Sequence, residues 1–592
     1  MNGARRICLN LAVVLTAFTA FLLPLKFGGI SGLAEVPGTF PSDLWEWVIF
    51  SSYPTELFAI LCGVLLALTL LGGAVRLPES RGVRIMLYLW GVGLPLAVLP
   101  GFVNSAVRDY AAAQLVHWLS VGAWCWTAAL LLADDPSRKK WFVGALTAGF
   151  LLSVLAGWRL WFWGFAETRE YYAGLEKAGR VKLDQQLWIK LDDDRVYATF
   201  TSCNSFAGFL ILAGAAFAFA AAKLGERFEP RRLSKILFFA AAVLLTLPIL
   251  PLTRSRGALL CALLAGLGAF LCSRLPRAVK LAGLALFVAA GLGGAWYVHH
   301  KGRGFASGAE RLDYLATTAQ LVAAHPVCGA GWDGFFREHM RVKRTSTDEA
   351  AHDPHNLIAS FAGQAGIFAG VLALAALILP LVELFRRYRG LSPWRRAVCW
   401  GCAAAALHML MELDYLVPAQ LAAFWLLAAA VLIEGAPKGE RAPAAKREDR
   451  AAATAAAVTA LATLFLGVWA LCGDSAFADF YDSIVPAPGA ERRPPSEARM
   501  EVALARVRRS RQRLPFALEK LAEYRMRNAP AEAEKLLLES LELSGPRPGP
   551  YAKLAEIARR SGDPDKAASY WRRAHELFPA KYPAEQPPPP EY

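Results

Sequence analysis

The stretch that decides the fold is "HDPHNLIASFAGQAGIFAGVLALAALILPLVEL", residues 352–384. It opens on two histidines, an aspartate and an asparagine, then continues into an apolar run long enough to cross a bilayer. About a dozen other runs repeat that second half. They lie near residues 7–25, 55–75, 83–103, 112–133, 141–163, 203–222, 236–252, 257–273, 279–297, 396–411, 418–434 and 453–473. The composition agrees: 55% of the 592 residues are hydrophobic, and the mean hydropathy is +0.34. In lipid only helices or closed barrels satisfy the backbone, and these lengths suit helices. The sequence therefore predicts an all-α protein, a polytopic bundle of about 12–13 spans.

The formal net charge of +15 does not point to nucleic acid, because its placement is topogenic. Alternate loops carry the basic residues: Arg5 and Arg6, then Arg76, Arg81 and Arg84, then Arg138, Lys139 and Lys140. The same parity continues through 223–235, 274–280, 386–396 and 438–450. The intervening loops hold few cations, among them Lys26, Arg108, Arg254 and Arg256. The positive-inside rule then sets the N-terminus in the cytoplasm. The first run lacks a convincing small-residue cleavage site and reads as a span, not a removed signal peptide. Most of the ten cysteines fall inside runs as small apolar residues. Cys203 and Cys328 fall on the outer side, where spacing alone leaves their pairing open.

Residues 1–434 thus form a membrane domain with a large outer loop at 298–354. A cytoplasmic linker follows at 435–452, a last span at 453–473, and an extracytoplasmic tail at 474–592. Within that tail "PAEAEKLLLESLEL" (530–543) aligns with "PDKAASYWRRAHEL" (564–577), an offset of 34. That is the period of tetratricopeptide repeats, and an earlier helix near 496–513 reads as a degenerate half. Two such repeats stack poorly alone, so the tail should lean on the membrane domain or on a protein partner. "PAEQPPPPEY" at the end reads as disordered.

Charged groups at a membrane edge are functional candidates by default. Arg254 and Arg256 stand in "LTRSRGALLC", on the cation-poor side, where one helix ends and the next begins. Arg311 opens the helical part of the large loop in "ERLDYLATTAQL". His355 precedes Asn356, a helix-capping residue type, and a histidine there can act as acid or base near neutral pH. Each has a plainer reading: interfacial snorkelling for the arginines, a helix ion pair with Glu310 or Asp313 for Arg311, a capping segment for His355. "DDD" at 192–194 contains a D-x-D metal motif, but on a loop of about forty residues on the outer side, where a solvated acidic turn is the simpler account. The pair His299 and His300 is adjacent in sequence and so cannot readily converge on one ion. His325, before Pro326, reads as part of a turn.

Taken together these segments resemble the O-antigen ligase and polymerase superfamily of membrane glycosyltransferases. The matched pieces are "TRSRGALL", "RLDYL", "AAHPVCGAGWDGFF", and "HNLIASFAGQAG" with ten residues between His355 and Gly366. "TFTSCNSFAGFLIL", with Asn204, resembles an Asn-x-x-Ala-Gly stretch that opens an earlier span. The resemblance covers roughly 200–430. One departure is "GAGWDGFF", where relatives often carry Gly-Val-Gly and then Asn-Phe.

The resemblance implies a bacterial inner-membrane enzyme that takes a glycan from polyprenyl (undecaprenyl) diphosphate. Its acceptor would be a hydroxyl of a glycan, lipid or protein, as in lipopolysaccharide assembly. It implies Arg256 and Arg311 on the diphosphate with Arg254, Asn356 and Asn204 as further binding residues, and His355 on the acceptor hydroxyl. It implies no metal and no cofactor. Arginine suits a diphosphate because its planar fork binds phosphate oxygens bidentately. Two rivals stand beside this reading. A flippase of lipid-linked glycans should carry charges midway along several spans, where only Arg159 comes near. A scaffold acting through its tail would leave the Arg–Arg–His set unexplained.

Overall fold

The computed structural model describes residues 3–32, 52–177, 192–300, 306–343, 351–434, 443–484 and 497–584. Residues 33–51, residues 178–191, residues 344–350 of the large loop, linker residues 435–442 and the proline-rich end 585–592 lie outside them. The described residues form helices and connections, with no strand among them.

Eight helical segments are long and apolar enough to cross a membrane, and Thr55–Leu71, Arg256–Leu271 and Pro418–Leu432 are shorter apolar helices. The remaining two apolar runs fall on Arg277–His300 and Pro393–His408. Each hydrophobic run of the sequence thus becomes helix. Arg108–Asp134 and Pro418–Leu432 are apolar all round, and both are buried along most or all of their length, as helices without a polar face must be. They lock together through their indoles. Trp124 Nε1 donates to the Ala422 carbonyl at 3.0 Å and Trp425 Nε1 donates to the Cys125 carbonyl at 3.1 Å. Away from water such bonds give a tryptophan its one polar partner while the ring packs.

The opening stretch is not a single span. Asn356 caps Leu357–Ala365, a nine-residue helix, and a second helix, Ile367–Arg386, carries the crossing. The break is Gly366, at φ 100° and ψ 165°, a region open essentially to glycine alone. The "HPVCGAGW" segment fastens onto this break. Ile367 N donates to the Pro326 carbonyl at 2.9 Å, and Ala330 N and Gly331 N donate to the Gly363 and Gln364 carbonyls at 3.0 Å each. The 326–331 segment therefore sets the angle between the two helices.

The last membrane helix runs from Pro443 to Ile484, 42 residues without interruption. At 1.5 Å per residue that is about 63 Å, twice a hydrocarbon core, so it passes residue 473 unbroken and the tail grows from its projecting end. Helices Leu514–Arg525 and Pro530–Ser544 are followed by Pro548–Arg560 and Pro564–Leu577, and each start in the second pair lies 34 residues after its counterpart. Helix Glu497–Ser510 folds back along the end of the long helix. The tail is tied down where Arg513 Nε meets Asp474 Oδ1 at 2.7 Å and Gln512 Nε2 donates to the Trp469 carbonyl at 3.0 Å. At its far end helix Pro564–Leu577 packs against helix Gly334–Val342 of the large loop.

Candidate active site

The short turn 409–413, between helix Pro393–His408 and the Leu413–Leu416 turn, is where the candidate residues meet. The His408 carbonyl accepts from both Met411 N and Glu412 N at 2.9 Å, which folds the turn back on the helix end. Its outward groups then receive three partners. Asn356 Nδ2 donates to the Leu410 carbonyl at 2.9 Å, Arg311 Nε donates to the Met411 carbonyl at 2.9 Å, and Arg311 pairs with the Glu412 carboxylate. His355 Nδ1 lies 3.4 Å from the other Glu412 oxygen. Two residues 44 positions apart in sequence, Arg311 and His355, are thus joined through one carboxylate.

Glu412 is 5% exposed and Arg311 31% exposed. Burial pushes the Glu412 carboxyl up, but the hydrogen bond from His355 and the Arg311 guanidinium beside it outweigh that, and it ends below the ordinary carboxylate range. The ion pair is therefore formed at neutral pH, with Arg311 on the semi-exposed side.

His355 is held from three directions. Its backbone sits at φ 54°, an uncommon left-handed conformation for a residue with a side chain. Asn356 after it caps the next helix, its Oδ1 accepting from Ile358 N and Ala359 N at 3.0 Å. Asp353 before it is buried and accepts from Ser360 Oγ at 2.6 Å, Gln364 Nε2 at 3.1 Å and the Tyr415 hydroxyl. Burial raises the Asp353 carboxyl despite these donors. The imidazole itself stacks on Tyr314, centroids 5.5 Å apart. Tyr314 meets His339 edge-on at 4.9 Å, so the loop helix Gly334–Val342 backs the catalytic candidate.

Arg256 is the first residue of helix Arg256–Leu271; it is exposed and has no hydrogen-bond or ion-pair partner among the described residues. Arg254, at φ 52°, pairs with Asp193 at 2.9 Å on the exposed surface. Asn204 is the second residue of a helix capped by Ser202, and its Oδ1 accepts from Arg195 Nη2 at 3.0 Å. Arg195 Nε donates to the Thr253 carbonyl at 3.1 Å, which ties the 192–195 segment to the "TRSR" turn. Two of the three acids of "DDD" are engaged by arginines, Asp193 by Arg254 and Asp194 by Arg169. Among the described residues no three His, Cys, Asp or Glu side chains converge as a metal set. Cys203 and Cys328 are both free thiols.

Sequence reasoning missed Glu412, Tyr314 and Arg195. Glu412 carried a signal: "MELDY" places two carboxylates in a short gap between apolar runs, on the side poor in charge. The helices and this polar end define a polytopic helical membrane protein whose arginine and histidine groups gather at one end of the bundle. Residues 241–374 match the family model described as O-antigen ligase, which supports over that span the resemblance to the O-antigen ligase and polymerase superfamily. The matched span holds Arg254, Arg256, Arg311, His355 and Asn356; Asn204 and Glu412 fall outside it. No curated protein matches the chain.

Proposed function

We propose that this protein moves a glycan from a polyprenyl diphosphate to an acceptor hydroxyl at the outer face of the bacterial cytoplasmic membrane. The observation that carries the reading is the Arg311–Glu412–His355 bridge, with Arg256 exposed and without an ion-pair partner among the described residues. In the step proposed, the acceptor oxygen attacks the anomeric carbon and its proton passes to His355 Nε2. The bond from that carbon to the phosphate oxygen breaks, and its electron pair leaves on the diphosphate.

Glu412 fixes the orientation of the imidazole through Nδ1 and offsets the charge His355 gains, as a carboxylate does behind a general base. Arg256, with no competing acid, takes the diphosphate and stabilises the charge that grows on it. Arg311 is shared: it holds Glu412 and turns its exposed edge to the same phosphates. Arg254 and Asn204 act at one remove, through Asp193 and Arg195. The step is written without metal or cofactor, since arginine supplies the positive charge. The cation-poor loops support a reading in which this end of the bundle lies outside and the N-terminus lies in the cytoplasm. The 34-residue offset supports a tetratricopeptide-type surface in the tail for a protein partner.

The flippase alternative is weakened, because Arg159, the nearest of its few candidate mid-span charges, pairs with Glu167 at 2.9 Å on the surface. The test is direct. Arg256→Ala, Arg311→Ala and His355→Ala should each abolish transfer in membranes that hold normal amounts of protein. Full activity in all three would sink the mechanism, and a cysteine at position 355 labelled only from the cytoplasm would sink the topology.

A further inference from the structure

Beneath the turn that carries Glu412 lies a second histidine–carboxylate pair. His408 Nδ1 and Asp414 Oδ2 are 2.6 Å apart, and both side chains are fully buried. The pair closes the turn on itself. His408 is the last residue of its helix and its carbonyl accepts from Met411 N and Glu412 N; Asp414, just beyond Glu412, then grips the side chain of the same histidine.

Two segments of the site are shaped around this pair. A methyl added at Gly208 would stand 2.1 Å from Asp414 Oδ2 and 2.9 Å from His408 Nδ1. One added at Gly257, next to Arg256, would lie 3.5 Å from His408 Nε2. The glycines of the "NSFAG" and "TRSRG" stretches thus give the pair its room. His408 Nε2 and Asp414 Oδ1 have no hydrogen-bond partner among the described residues. A buried ion pair with atoms left unpaired is a poor source of stability, because desolvation consumes the Coulomb gain; setting a register is its best attested use. Four backbone or side-chain groups of the 408–412 turn hold Arg311, His355, Asn356 and, through Met409 O at 3.1 Å, Leu357 N. A shift in this turn moves all of them at once.

We infer that His408 and Asp414 are positioning residues that pin the 409–413 turn and so aim Glu412 at Arg311 and His355. The inference rests on the glycosyl-transfer reading for its kinetic arm only. The histidine offers two separable edges, and two substitutions divide them. His408→Asn keeps an amide donor where Nδ1 stood and so keeps the bond to Asp414. His408→Gln places its amide near Nε2 and gives up that bond.

The experiment measures both variants in purified full-length protein, by hydrogen exchange of the 409–413 amides and by steady-state transfer with a polyprenyl-diphosphate oligosaccharide. His408→Gln should speed exchange at Met411 and Glu412 by about tenfold. It should lower kcat by about 10²-fold, the cost of a small misplacement of a reacting group, with a much smaller change in the donor KM, because Arg311 shifts with the turn while Arg256 is untouched. His408→Asn should stay near wild type in both. Loss in His408→Asn with His408→Gln near wild type would overturn the pin and assign the role to Nε2, and equal losses in the two variants would overturn it as well. No loss in either, or kcat, KM and thermal midpoint falling together, would also overturn it. If exchange separates the variants as stated while wild-type protein transfers nothing, the pin stands and the transfer reading fails.

Discussion

Replacing Gly366 by alanine tests whether the angle between helices Leu357–Ala365 and Ile367–Arg386 positions His355. At φ 100° and ψ 165° an L-residue is confined to a backbone region that costs about 1–3 kcal/mol. Sterics add to this. The new methyl would stand 2.0 Å from the Val327 carbonyl oxygen and 2.6 Å from its carbon. That neighbour is backbone and cannot rotate away; to make room, Pro326–Cys328 must move, which breaks the bond from Ile367 N to the Pro326 carbonyl. A buried backbone bond lost this way costs about 1–3 kcal/mol more. The sum is about 2–6 kcal/mol, enough to shift the thermal midpoint of detergent-purified protein by several degrees.

Gly144→Ala serves as the control, because a methyl there meets nothing within 4 Å. Gly366→Ala should also lose transfer beyond what its folded fraction explains, since the helix that Asn356 caps would swing relative to the 408–412 turn. An alanine variant with an unchanged midpoint and unchanged transfer would refute the argument that this glycine sets the site.

Glu412→Gln should cut transfer by more than about 10²-fold; its thermal cost should be only about 1–2 kcal/mol, because Arg311 is a third exposed and partly screened. Wild-type transfer in both arms of a Glu412→Gln comparison would remove Glu412 from the mechanism. Gly208→Ala should destabilise by about 1–3 kcal/mol through overpacking against Asp414, read as a lower thermal midpoint beside Gly144→Ala. His339 provides a pH test: burial lowers it from 6.5 to about 4, so the folded loop prefers the neutral ring. Its contribution is full above pH 6.5 and drains away as pH falls toward 4, by up to about 3 kcal/mol. His339→Phe should flatten the fall in thermal midpoint over that window, and an unchanged slope would contradict it. Transfer assayed with excess EDTA should match the untreated rate, and a loss restored by a divalent cation would show that the step needs a metal.

The helices were legible because bilayer thickness imposes a run length that hydropathy reads directly, and every such run is helical. Hydropathy was blind to the break at Gly366, since both flanks are apolar and the change lies in one backbone dihedral. It was equally blind to the continuity of Pro443–Ile484. The composition turns polar near residue 474, yet no helix-breaking residue intervenes before Ile484. At the site, Arg311 and His355 were visible because each sits in a short local pattern. Their joining through Glu412 was not, because Glu412 is 57 positions from His355 and 101 from Arg311. Only the fold of the 408–412 turn creates that proximity. Arg311 also reads differently once seen: it is committed to an acid, whereas Arg256 has no acid partner among the described residues.

The unbroken helix from Pro443 to Ile484 turns the tail's bearing into a matter of phase. Each residue advances a helix by about 100° and 1.5 Å, so one residue inserted within the span would rotate every repeat about the helix axis by more than a right angle. Helix Pro564–Leu577 would then face away from helix Gly334–Val342. Seven residues inserted at the same place would nearly restore the heading while raising the tail by about 10 Å. The tail thus keeps its compass direction over the site by residue count, much as a weathervane fixed to its shaft follows the shaft and not the roof.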